Sequence, residues 1–135
     1  IRITNACAES TNTNFEVQQP PNSVIDSVII HTVGTVTMAS AVDVSFNLGT
    51  ASTYDGGQVV ASAVYLDGSN TVSVLAGTAK TCTIVDGVNT DAIASYGNAA
   101  SVTTDDRILY GRFVTGAAAV SGNNEIEVHV EFRQF

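Results

Sequence analysis

Residues 42–48 read Val42-Asp43-Val44-Ser45-Phe46-Asn47-Leu48. Successive side chains of an extended chain point to opposite faces. Val42, Val44, Phe46 and Leu48 therefore share one face, and Asp43, Ser45 and Asn47 share the other. A strand with one dry and one wet face belongs to an antiparallel sheet packed on one side, because parallel sheets are usually covered on both. The C-terminal stretch repeats the pattern: Ile126, Val128, Val130 and Phe132 alternate with Glu125, Glu127, His129, Glu131 and Arg133. Both apolar sets are predicted to be buried in an all-β core.

Working outward from 42–48, the preceding apolar run, 24–33, has Val28-Ile29-Ile30 at its centre and is predicted to be a strand buried on both faces or passing between layers. Gly34 predicts a bulge or a bend between sheets. Before the run, Pro20-Pro21-Asn22-Ser23 marks a boundary, since proline cannot donate to a strand ladder. Residues 1–19 are then an N-terminal arm or a first strand, and 20–135 the main domain. Ile1, Ile3, Phe15 and Val17 are the apolar residues of an otherwise polar arm, which makes them candidate partner contacts. After Leu48, 49–57 reads as a loop containing Tyr54-Asp55-Gly56-Gly57. Strands follow at 58–66, 71–76 and 80–85, with Asp67-Gly68 and Asp86-Gly87 as hairpin signals. Residues 88–106 are the least regular; Thr90 as N-cap predicts one helical turn over 90–96. A strand at 107–115 and the turn Ser121-Gly122-Asn123-Asn124 lead into the last strand. About eight strands at short intervals, with no internal repeat, predict an antiparallel β-sandwich, jelly-roll-like.

Composition narrows the function. A chain of 135 residues favours one domain, and 44% hydrophobic against 13% charged residues favours a folded one. The formal net charge of −8, with five Lys plus Arg, offers no cationic footprint for nucleic acid and disfavours an anionic membrane surface. No apolar run approaches the ~20 residues that span a bilayer. The first residue is Ile1 rather than Met, so either residues precede it in the encoded protein or processing has occurred.

Few residues suggest chemistry. His31 and His129 are the only histidines. His129 lies on the charged face of the last strand between Glu127 and Glu131, which reads as a solvated face. His31 lies in the most apolar strand and reads as a satisfied core or edge residue. No nucleophile elbow, zinc-protease pair or phosphate-binding glycine loop occurs. Asp55, Asp67 and Asp86 each precede Gly, and turn chemistry explains all three. Asp105-Asp106 offers oxygen ligands but not the spacing of a calcium loop. Glu125, Glu127 and Glu131 share a strand face, but with no Trp in the chain a sugar site is the weaker reading. Cys7 and Cys82 are too few for a zinc site; they form a disulfide or stand as two partly buried thiols, the latter being the expectation. No catalytic, cofactor or metal residues are assigned, and the protein is expected not to be an enzyme.

The order of these elements carries a resemblance. The run Pro20-Pro21-Asn22-Ser23, the strand Val24-Ile25-Asp26-Ser27-Val28-Ile29-Ile30, the alternating 42–48 ending at Gly49, the strand 108–116 and the closing 125–135 together resemble the small β-sandwich structural proteins of tailed bacteriophages. The nearest likeness is to head decoration, or cement, proteins. The resemblance implies a trimer that binds and stabilises the major capsid protein on the virion exterior after assembly in the host cytoplasm, a reducing compartment in which both cysteines stay thiols. A tail, fibre or knob subunit is the nearest alternative, and a secreted adhesin or carbohydrate-binding domain the next.

Overall fold

A computed structural model describes residues 1–3, 12–33, 36–38, 44–60, 63–66, 72–74, 79–84, 106–115, 120–122 and 125–134. Among them there is no helix. The strands are β1 (Arg2–Ile3), β2 (Asn12–Gln19), β3 (Ser23–Thr32), β4 (Val36–Met38), β5 (Val44–Gly49), β6 (Ala63–Leu66), β7 (Val72–Val74), β8 (Ala79–Thr81), β9 (Arg107–Thr115), β10 (Val120–Gly122) and β11 (Ile126–Gln134). Every pairing among the described residues is antiparallel. The all-β fold is therefore as predicted. Among the described residues, β2, β3, β5, β9 and β11 are the strands of six residues or more.

Among the described residues these strands form two four-stranded sheets and a small third one. The first has the order β1-β11-β3-β8, the second β2-β9-β5-β6, and the third β10-β4-β7. Ile25, Val28, Ile30, Ile126 and Val128 from the first sheet and Phe15, Val44, Phe46, Leu48, Leu109 and Phe113 from the second form one buried cluster, so the large sheets share a core in the manner of a sandwich. Phe15, Phe46 and Phe113 meet at its centre, with ring centroids 4.9–6.1 Å apart. The Phe15 ring lies across Gly111, its register partner. A Cβ built on Gly111 would stand 2.1 Å from Phe15 Cζ, so glycine is what lets the ring lie flat on the backbone.

Alternation decides burial along β2, β5, β9 and the first half of β11. Val44, Phe46 and Leu48 are buried, as are Ile126 and Val128; Val42 lies outside the described residues. Val130 and Phe132 depart from the prediction: they are only half-buried against the core. Beyond Val128, which exchanges backbone bonds with Ile1, β11 pairs among the described residues with β3 alone, which leaves this end of the strand at an edge. Strand β3 is not buried on both faces either. Ser27 pairs with Glu131 and Ile25 with Phe132, so Asp26 is an extra residue. This bulge resets the phase: Val24, Ile25, Val28 and Ile30 are buried, Asp26 is exposed and Ile29 is half-buried. The bend or bulge expected at Gly34 lies outside the described residues. β3 ends at Thr32, Val33 N still bonds Glu125 O, and Val36 to Met38 belong to the third sheet.

The described part of 1–19, expected to be an arm or a first strand, lies in strands of the fold. β1 pairs with β11, and the Ile1 and Val128 backbones exchange bonds of 2.7 and 2.8 Å. β2 pairs along its whole length with β9. Phe15 is buried and Val17 half-buried on the core, while Ile1 is exposed, at 54%; the Ile3 side chain lies outside the description. Residues 4–11, with Cys7, lie outside the described residues, as do the helical turn expected over 90–96, Asp67, Asp86 and Asp105.

Candidate functional site

With one face of each large sheet committed to the core, the outward faces carry what the protein presents. On the second sheet, β9 sends Ile108, Tyr110, Arg112 and Val114 outward, beside Asn12, Asn14, Glu16 and Gln18 of β2. The loop 50–57 folds over this face. Bonds from Thr50 N to Gly57 O (2.9 Å) and from Tyr54 N to Ala51 O (3.0 Å) tighten it, and Gly57 at φ +60° makes the turn without a Cβ penalty. Tyr54 also has positive φ, 65°, which is uncommon for a bulky residue.

Side chains hold Tyr54 in that conformation. Asn47 Nδ2 donates to the Tyr54 carbonyl (2.8 Å), and the Tyr54 hydroxyl donates to Glu16 (2.9 Å). Its ring meets Tyr110 edge-on at 5.3 Å, and the Arg112 guanidinium stands 5.6 Å from its centroid. Arg112 also donates to Asn14 Oδ1 (2.9 Å) and to Thr53 O (3.1 Å). The hydrogen bond to the Glu16 carboxylate is the main cause that raises the Tyr54 pKa. A shallow cavity of about 180 Å³ lies alongside, lined by Asn47, Tyr54, Asp55, Gln58, Arg112 and Val114 among others. Ile108 and Val114, exposed at 42% and 40%, flank this ordered polar patch.

On the first sheet, the outward face of β3 and β11 brings together both histidines. Glu127 is the register partner of His31, and His129 is two residues further along the same face. His31 Nε2 and His129 Nε2 each lie 3.2 Å from Glu127 Oε2. The two rings lie 4.9 Å apart, 23° from parallel. Further along, Ser27 donates to Glu131 and Arg133 pairs with Asp26 (2.9 Å).

The remaining sequence candidates are dispersed. Asp106 accepts a bond from Gln18. Asp55 is an exposed loop residue at the mouth of the cavity. Half-buried Cys82 packs against the core, with its N–H bonded to Val28 O (2.8 Å). Sequence reading missed the Tyr54–Arg112 patch, since Asn14, Glu16, Asn47 and Arg112 meet only through β2–β9 and β5–β9 pairing. The chain matches no protein-family model, no curated protein and no solved structure.

Proposed function

We propose that the protein is a virion structural component, a head decoration protein that binds and stabilises the major capsid shell as a homo-trimer, with the jelly-roll-like winding of that class. The observation that carries the reading is the outward face of β9. Exposed Ile108 and Val114 flank Tyr54, Tyr110 and Arg112, and a rim of Asn and Gln surrounds them. Protein interfaces are enriched in Tyr and Arg at their centres and polar at their rims. The patch is ordered in advance by its own hydrogen bonds, which lowers the entropy cost of docking. The low charge of the chain, 13% of residues, suits a surface that packs against other proteins.

The test is co-sedimentation with purified phage heads that lack the protein, alongside light scattering of the free chain. The expected results are saturable binding and a mass three times that of the chain. Val114→Glu should abolish binding while leaving the circular dichroism spectrum unchanged. A monomer at high concentration with no affinity for heads overturns the proposal.

A further inference from the structure

We propose that His31, Glu127 and His129 form a binding site for a first-row divalent cation of the zinc type. The three ligand atoms lie within 4.8 Å of one another on one sheet face. Both imidazoles direct Nε2 to the same carboxylate oxygen, each at 3.2 Å. Zinc bonds nitrogen and oxygen at about 2.0–2.2 Å, so tetrahedral neighbours stand about 3.4 Å apart. The two nitrogen–oxygen spacings are close to that edge, and side-chain rotation would bring the two imidazole nitrogens to it around an ion.

The donor set selects the cation. Neutral imidazole suits zinc, iron, nickel and copper, whereas calcium and magnesium take oxygen ligands almost throughout. Two imidazoles and one carboxylate leave a position for water. His129, with its side chain 52% exposed, lies at the solvent side, while His31 and Glu127 are more enclosed at 26% and 22%. The ligands stand on adjacent strands of a regular ladder, so the scaffold holds their spacing without a loop. A net charge of −8 raises the local concentration of cations. As a surface ion pair alone the cluster would contribute little to stability. As a metal site it becomes a clasp between β3 and β11.

Calorimetric titration of the full chain with zinc chloride tests the site, with calcium and magnesium chloride as controls. The expected result is one zinc per chain and no heat from the controls. His31→Ala, His129→Ala and Glu127→Gln should each weaken zinc binding by at least about tenfold, because losing even an outer partner of a metal ligand costs 10–100-fold. His129→Ala alters an exposed side chain and should keep the fold, so it decides the matter should His31→Ala not fold. Cobalt(II) should give the visible absorption of a four- or five-coordinate ion in the parent and lose it in His129→Ala. Zinc uptake that is absent, or unchanged in His129→Ala and Glu127→Gln, overturns the proposal.

Discussion

Tyr54 sits at positive φ because three contacts hold it there: Asn47 on its carbonyl, Glu16 on its hydroxyl and Tyr110 on its ring. Such backbone strain costs of order 1–3 kcal/mol and persists only where the surroundings over-determine it. The Glu16 contact has a pH signature. The neutral phenol is the form that donates, so folding raises its pKa above the ordinary tyrosine value. A raised folded-state pKa stabilises the protein below the unfolded value of about 10, and that contribution is lost as pH rises through the folded value. Phenolate absorbance during alkaline titration should shift earlier in Glu16→Gln, and Tyr54→Phe should remove the component that shifts. Gly111 is constrained by space rather than by φ. Gly111→Ala places a methyl against the Phe15 ring and should cost about 1–3 kcal/mol, the usual range for overpacking. Urea denaturation measures the loss, and Phe15→Leu in the same chain should recover part of it, a coupling that distant sites lack.

The crossing from β2 to β3 carries the chain from one large sheet to the other, and buried polar groups fix it. Gln19, fully buried, accepts from Arg107 Nε (2.7 Å) and donates to the Ser23 carbonyl (3.0 Å). The Ser23 hydroxyl donates to the Pro20 carbonyl (2.6 Å), and Asn22 takes φ 51° between them. Partial burial lowers the Arg107 pKa, and Gln19 supplies one acceptor for that cation. Gln19→Leu keeps the volume but strands the Arg107 N–H, and should cost roughly 1–3 kcal/mol in chemical denaturation. Deleting 1–19 should unfold the chain, because it uncovers Phe46 and Phe113; a truncated protein with native circular dichroism would show that β2 is dispensable. The boundary at Pro20-Pro21 was legible because proline punctuates locally, and so were β5 and the first half of β11, where alternation is strict. The bulge at Asp26 was not, since an extra residue in an apolar run leaves composition unchanged and appears only against its partner. The same holds for both outward faces. Glu127 and His129 lie two apart in sequence, but His31 joins them only through β3–β11 register.

At the scale of the molecule, the two large sheets have no separate interiors. Ile25, Val28, Ile30, Ile126 and Val128 of one complete the cluster of Phe15, Phe46, Leu48, Leu109 and Phe113 of the other. Neither sheet can keep its apolar face dry alone, so loss of one should expose the other in the same step. The chain supplies a probe on each outer face. Three of the four tyrosines, Tyr54, Tyr65 and Tyr110, belong to the second sheet and its loop, so tyrosine fluorescence, with no Trp to interfere, reports chiefly on that sheet, and His31 and His129 report on the first through their imidazole proton resonances. In urea, the two signals should lose their native values with one midpoint and one slope. Phe113→Ala, made in the second sheet, should shift the histidine transition on the first by the same amount as the tyrosine transition, about 3–5 kcal/mol for a buried Phe. Midpoints that separate, or a Phe113→Ala shift confined to the tyrosines, would mean that the sheets unfold independently and that the shared core does not couple them.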